Sequence, residues 1–345
     1  MRTIRITGTG SALPGRIVTN KELEQMVETS DEWIRERTGI AERHVSVGET
    51  VVTLASEAAR KALEQAGKRA EEIDLILVAT CSPEQYLPCC ACQVQADIGA
   101  VNALAFDVNA ACSGFLFALN TADAYLRMGL AENALIIGSE VLSKLVDWTD
   151  RGSCILFGDG AGAVVVERCK AESRAVEEKQ IPAAGILGRA LHSDGTGGGV
   201  LQCDARELTT PYARTSAVKT DQNQPMDDRE HFIQMDGQEV YRFATRRVPQ
   251  CIEEALSDAG LAVPDIDLFV LHQANARIID AVAKRLHADR DKFPTNLERV
   301  GNMSSASIPV LLDELNRQRK LHRGDRIVLA GFGAGLTIGA CVMTW

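Results

Sequence analysis

Ala62-Leu63-Glu64-Gln65-Ala66-Gly67-Lys68-Arg69-Ala70-Glu71-Glu72-Ile73-Asp74-Leu75 recurs 193 residues later as Ala255-Leu256-Ser257-Asp258-Ala259-Gly260-Leu261-Ala262-Val263-Pro264-Asp265-Ile266-Asp267-Leu268. The pairs Ala-Leu and Ala-Gly and the triplet Ile-Asp-Leu coincide without a gap. The same offset lays Asn109 on Asn302 and Cys112 on Ser305, and an offset of 192 lays Ala134-Leu135-Ile136-Ile137-Gly138 on Arg326-Ile327-Val328-Leu329-Ala330. Three matches in chain order point to two copies of one unit. In each copy an amphipathic helix (Val51 to Gly67; Gln238 to Gly260) leads through a short acidic loop into a β-rich run (Ile73 to Ala79; Ile266 to Leu271). A second strand, a helix and a third strand are expected to follow. Such alternation predicts an α/β fold with mostly parallel sheets and helices on their faces. Ligands of such sheets gather beyond the carboxyl ends of strands, and Cys81, Cys112, His272 and Asn302 all lie just past predicted strands. Between the copies, Arg168 to Met235 is polar and holds Gly195-Thr196-Gly197-Gly198-Gly199 and the stretch Thr220 to Asp228. It reads as linker plus a long surface excursion, a length of loop that usually serves function.

With 345 residues, 46% hydrophobic and 24% charged, the chain has the makings of a large globular core. Arg2-Thr3-Ile4-Arg5-Ile6-Thr7 followed by a Gly/Pro turn reads as a first strand, not a signal peptide. No apolar run approaches the roughly 18 to 20 residues of a membrane span, so the expectation is a soluble, cytoplasmic protein. The ten cysteines sit mostly in apolar runs such as Ser153-Cys154-Ile155-Leu156-Phe157, as core thiols do and disulfide frameworks do not. A net charge of −10 argues against broad nucleic-acid binding.

Ala103 to Val108 reads as a buried strand, and apolar residues at Phe115, Leu116, Leu119, Ala122 and Leu126 give a helical period. Cys112 therefore falls at a helix N-terminus, where unpaired N–H groups favour thiolate over thiol. Ala110, Ala111 and Gly114 permit a sharp turn and close approach by a substrate. His272 follows the strand Leu268 to Leu271, and Asn302 follows Gly301. Read alone, they are a structural histidine and a turn residue. Together, a neutral imidazole and an amide are two donors suited to stabilising an enolate oxygen. Cys89 and Cys92 form a C-x-x-C, but no second pair at zinc spacing follows, so no metal is expected.

The runs Ala110-Ala111-Cys112-Ser113-Gly114-Phe115, His272-Gln273-Ala274-Asn275-Ala276-Arg277 and Gly301-Asn302-Met303-Ser304-Ser305-Ala306-Ser307-Ile308-Pro309 resemble signatures of the β-ketoacyl-acyl-carrier-protein synthase III family. So do Thr29 to Ile34, Arg37 to Ile40, Asp150 to Ser153 and Phe157 to Gly162, in the same order and over nearly the whole chain. The resemblance implies a duplicated thiolase-like fold with layers αβαβα. Its halves are expected at 1–175, carrying the nucleophile, and 176–345, carrying His272 and Asn302 and a polar excursion at about 176–235. It implies an acyltransferase that condenses an acyl-CoA primer, acetyl or short or branched, with malonyl-acyl carrier protein through an acyl-Cys112 intermediate. No cofactor is implied beyond these thioester substrates, and a homodimer is expected.

By the same resemblance, the N–H groups of Cys112 and Ala334 form an oxyanion hole. Trp33 and Arg151 sandwich the CoA adenine, with Thr29 and Arg37 at the tunnel mouth. Leu87, Phe157 and Met235 shape the acyl pocket, and Arg242, Arg277, Lys284 and Arg285 dock the acidic carrier protein. The chain departs from the family's common pattern at Ala334, usually Gly, and at Leu87, often Phe in acetyl-preferring members. A biosynthetic thiolase would need a second Cys in the loop that here reads Gly333-Ala334-Gly335, and an elongating synthase a second His where Asn302 stands. Two other classes stay open: an acyltransferase or related ketosynthase of specialised metabolism, and a non-catalytic acyl-CoA or carrier-protein binding module.

Overall fold

The structure is a computed structural model that describes residues 2–170, 173–176, 179–182, 185–205 and 231–345. Within the first half the main elements are β1 (Arg2–Ala12), α1 (Asp31–Thr38), α2 (Val51–Ala66), β2 (Leu75–Ala79), α3 (Cys90–Ile98), β3 (Leu104–Val108), α4 (Gly114–Met128), β4 (Asn133–Glu140) and β5 (Gly160–Lys170). The second half contributes β6 (Gly185–Ser193), α5 (Gly237–Ala259), β7 (Leu268–Leu271), α6 (Ala276–Arg285), α7 (Ser307–Arg317), β8 (Arg326–Gly333) and β9 (Thr337–Thr344). The repeat is visible at single residues. α2 and α5 end on Gly67 and Gly260 with φ of 64° and 66°, the left-handed stop that glycine supplies without a Cβ penalty.

Five layers follow from where the apolar faces point. α4 and α7 lie between the two sheets. Their Phe115, Leu116, Leu119, Ile308, Leu311 and Leu312 pack with Leu75, Ile136 and Val164 of one sheet and Val270, Leu329 and Met343 of the other. Along β4 the side chains alternate, with Ala134 and Ile136 toward this centre and Leu135 and Ile137 toward α2 and α3 outside. α5 and α6 cover the outer face of the second sheet. This is the αβαβα layering.

The first sheet has the order β1-β5-β4-β2-β3 and the second the order β6-β9-β8-β7. Both are mixed, but the expectation of mostly parallel pairing needs correction. β2 runs parallel to β3 and β4, and β7 to β8, while β1, β5, β6 and β9 pair antiparallel. β8 and β9 are joined by only Ala334 to Leu336, a connection that forces a hairpin. The register corrects a second reading. Leu75 pairs Ala134 and Leu268 pairs Ile327, so the offset remains 193 throughout and Ala134 corresponds to Ile327, not Arg326.

A third correction concerns the second copy's middle strand. Residues there form a helical turn, Leu297–Val300, and only a bridge between Phe157 and Asn302 remains. The backbone bonds across to the first half instead, with the Glu298 carbonyl accepting from Ala41 N–H and the Asn302 N–H donating to Leu156. The expected excursion also shrinks. Gly185–Ser193 is a full strand paired with β9, while Leu201–Gln202 and Gln234–Met235 form a short antiparallel pair at the site. Residues 206–230, with Thr220 to Asp228, lie outside the described residues.

Candidate active site

β3 delivers the chain to a turn that cannot relax into helix at once. Asn109 Oδ1 accepts from the Ala111 N–H at 3.3 Å, Ala111 has φ 44°, and Ala111–Ser113 form one 3-10 turn before α4. The Ser113 and Thr337 hydroxyls, 2.8 Å apart, both reach the Ala110 carbonyl and tie the turn to β9. Gly333 passes so close that a Cβ there would lie 2.5 Å from the Cys112 nitrogen. Half-buried Cys112 is thereby set at the junction of the two halves.

The second half repeats the device. Asn302 Oδ1 accepts from the Ser304 N–H at 2.9 Å, Ser304 has φ 46°, and Ser304–Ala306 form a 3-10 turn before α7. Because the carboxamide oxygen is occupied, the Asn302 Nδ2 is the end left for a ligand. The Ser304 hydroxyl lies 4.0 Å from the Cys81 sulfur and favours the ionised form of Cys112. His272 leaves β7 with its N–H on the Ala330 carbonyl at 2.8 Å, its ring edge-on to Phe332 at 5.6 Å. Its Nδ1 is buried with no partner among the described residues, which leaves Nε2 for the cavity.

Cys112, His272 and Asn302 all border one cavity of about 1390 Å³ that opens past Trp33, Arg37 and Arg277. A second space of about 460 Å³ adjoins the other side of Cys112, walled by Leu142, Leu145, Phe157 and Ile233. Cys112, Phe157 and Leu201 are common to both. The arrangement is a long cleft with a basic mouth, a thiol at its end, and an apolar chamber beyond the thiol.

Electrostatics depart from the sequence reading at the nucleophile. Burial pushes the Cys112 thiol up to about 12, against the opposing pull of the Ser304 hydroxyl and its own N–H. Desolvation thus favours the thiol as the resting group, opposite in direction to the thiolate expected at a helix N-terminus. Burial likewise pushes His272 down to about 3, so its imidazole is neutral, as the enolate-donor role requires.

The other expected residues divide. Trp33, Arg37, Arg242 and Arg277 line the larger cavity. Arg151 stacks on Trp33 itself, 5.1 Å from the ring centroid, with Arg37 at 5.8 Å, so the two expected walls of an adenine slot are in mutual contact. Thr29 lies outside the cavity lining, its hydroxyl buried without a partner among the described residues. Phe157 and Met235 line the cleft, but Leu87 is 86% exposed and borders neither space, a correction to its place in the acyl pocket within one chain. Ala334 borders the smaller chamber, one residue beyond Gly333, which packs on the Cys112 nitrogen. Lys284 and Arg285 are exposed at the end of α6, away from the cavity mouth. The Cys92 thiol donates to the Ala105 carbonyl at 3.6 Å, and the α3 N–H groups of Cys90 and Ala91 are taken by Asp107 at 2.8 and 2.7 Å. Sequence reasoning missed Glu140, Ser304, Phe332 and Thr337. Only Ser304 carried a signal, as the repeat partner of Ala111.

Comparison with known proteins follows the same lines. A family model described as 3-oxoacyl-[acyl-carrier-protein (ACP)] synthase III matches residues 106–195, and one described as its C terminal matches residues 256–345. The β-ketoacyl-[acyl-carrier-protein] synthase III of Clostridium acetobutylicum is 46% identical over 345 residues, covering 100% of this chain and 99% of the relative. That of Clostridium novyi is 43% identical, with 100% of both covered. Among solved structures, 3-oxoacyl-[acyl-carrier-protein] synthase III from Aquifex aeolicus superposes with a TM-score of 0.86 at 39% identity, covering 99% of this chain and 100% of the other. The priming β-ketosynthase of the R1128 polyketide pathway also gives 0.86, at 34% identity, covering 99% and 96%.

Proposed function

The chain belongs to the β-ketoacyl-acyl-carrier-protein synthase III family of condensing acyltransferases, and from that premise we propose that Cys112, His272 and Asn302 carry its reaction. The Cys112 thiol attacks the carbonyl carbon of an acyl-CoA. The oxyanion lies against the N–H groups of Cys112 and Ala334, and on collapse CoA leaves with the thiol proton. Malonyl-acyl carrier protein then enters, and its thioester oxygen receives hydrogen bonds from His272 Nε2 and Asn302 Nδ2. The malonyl carboxylate departs as carbon dioxide, its bonding electrons becoming an enolate held by those two donors. The enolate carbon attacks the acyl-Cys112 carbonyl, and expulsion of the thiolate, which regains a proton, gives the 3-oxoacyl-carrier protein.

The observation that carries this reading is that one thiol from the first half and two neutral donors from the second border a single cavity. Trp33, Arg37 and Arg151 are proposed to bind CoA, with Thr29 behind them, and Arg242 and Arg277 to meet the carrier protein, with Lys284 and Arg285 farther out. The primer occupies the chamber beyond Cys112, with Phe157 as its wall and Met235 toward the cleft. At about 460 Å³ this space is some three times the cavity of about 150 Å³ that holds a benzene, which supports short or branched primers as well as acetyl. The test is malonyl-dependent discharge of a Cys112 acyl group with release of carbon dioxide.

A homodimer is part of the proposal. Edge strand β3 exposes Leu104, and Val101 just before it and Tyr86 and Leu87 ahead of α3 are also exposed, apolar side chains that a second copy would cover. No helix among the described residues is long and apolar enough to cross a membrane, and reliance on CoA thioesters supports a cytoplasmic site of action. The halves 1–175 and 176–345 are retained as the proposed division of the chain. Likeness to a polyketide priming ketosynthase favours one second reading, condensation in specialised metabolism on the same residues.

A further inference from the structure

Glu140 ends β4 fully buried at the seam between the halves. Its Oε2 accepts from the Ser82 hydroxyl at 2.5 Å, the Thr80 hydroxyl at 3.2 Å and the Cys81 N–H at 3.1 Å, an N–H that also reaches Oε1 at 3.3 Å, and the Cys81 thiol lies 3.5 Å from both oxygens. Its Oε1 lies 2.8 Å from Ser305 Oγ, and that hydroxyl lies 2.8 Å from the Ala79 carbonyl oxygen as well. A hydroxyl has one proton, and a carbonyl oxygen can only accept. If Ser305 serves Ala79, its remaining contact is a hydrogen bond only when Glu140 supplies the proton. If Ser305 serves Glu140 instead, the Ala79 oxygen faces a lone pair at 2.8 Å in a buried site, an unfavourable arrangement.

We propose that Glu140 is held as a neutral carboxylic acid and acts as a positioning residue, fixing from the first half the turn that presents Asn302 in the second. The proposal rests on the role of Asn302 proposed above. The chain of contacts is short. Glu140 Oε1–H holds Ser305, the preceding Ser304 N–H holds Asn302 Oδ1 at 2.9 Å, and the Asn302 Nδ2 is aimed by that bond. Burial raises the Glu140 carboxyl above its ordinary range, in agreement, although the Ser82 and Ser305 hydroxyls pull the other way. Neutrality also serves the nucleophile. The titratable groups beside Glu140 are the Cys81 and Cys112 thiols, and a carboxylate here would make either harder to ionise.

The test compares E140Q, E140A and S305A in two separate half-reactions: acylation of Cys112 by acyl-CoA, and decarboxylation of malonyl-carrier protein. Gln keeps an N–H for Ser305 and an oxygen for Thr80, Cys81 and Ser82, so E140Q is expected to hold both rates within about threefold of the parent. E140A and S305A are expected to lose about 100-fold in decarboxylation, the scale of a misplaced donor, while acylation changes far less. Infrared difference spectra of the parent against E140Q are expected to show a protonated-carboxyl band at neutral pH. Damage in E140Q equal to that in E140A, or absence of the band, would overturn the proposal. The infrared arm and E140Q decide even if E140A does not fold. Because the band does not depend on catalysis, failure of the parent to condense would count against the proposed reaction alone.

Discussion

The roles proposed for Cys112, His272 and Asn302 place them on different half-reactions, and their variants should separate accordingly. H272A and N302A are each expected to lower malonyl decarboxylation by about 10²- to 10³-fold, the loss typical of one oxyanion donor, while Cys112 still acquires an acyl group. W33A is expected to raise KM for acyl-CoA about tenfold, equivalent to about 1.4 kcal/mol of stacking, with little change in kcat, as steady-state kinetics on purified protein will show. The buried imidazole also sets an acid limit. Its folded pKa of about 3 lies below the ordinary 6.5, so the unfolded chain takes up a proton first. Stability from this group is whole above 6.5 and is lost as pH falls toward 3, by about 1.4 kcal/mol per unit. Urea unfolding across that window should fall less steeply for H272A. The residue types of this site were legible because each follows an apolar run and falls at a turn marked by small or polar neighbours. The thiol's raised pKa was not, since desolvation depends on what the rest of the chain packs around it.

The elements show where a sequence pattern loses its precision. Gly67 and Gly260 punctuate helices, so the repeat around them aligned without ambiguity. Ala134 to Gly138 is an apolar run with no such mark, and it slid by one residue until pairing with β2 placed it. Under the corrected register Gly138 corresponds to Gly331, and each faces the turn of the opposite half. Their surroundings differ. A Cβ on Gly138 would meet the Ser305 carbonyl oxygen at 2.2 Å, whereas one on Gly331 would meet His272 Cβ at 3.4 Å, ordinary contact. G138A is therefore expected to cost about 1–3 kcal/mol or more and G331A little, a difference that thermal unfolding of the two variants will read. The lost middle strand of the second copy is the same lesson from the other side. Leu297 to Val300 occupies the matching place, but partners from the first half took its backbone bonds.

At the scale of the whole molecule, duplication explains why one cavity draws its thiol from one half and its donors from the other. The duplicated α/β unit was legible from periodicity and repeat and its layering from the family resemblance, while the volumes of the two spaces and the exposure of Leu87 required the packed chain. If the exposed apolar edge at β3 meets a second copy, L104K combined with V101D should yield a monomer by light scattering, and an unchanged dimer would place the interface elsewhere. The central claim is a covalent condensing reaction at Cys112. It is tested most directly by mass measurement on the Cys112 peptide after incubation with straight and branched acyl-CoAs, before and after malonyl-carrier protein is added. The account predicts a mass gain of one acyl group that disappears with release of carbon dioxide on addition of the second substrate. An acyl group that malonyl-carrier protein cannot discharge, or no acyl group at all, would contradict it.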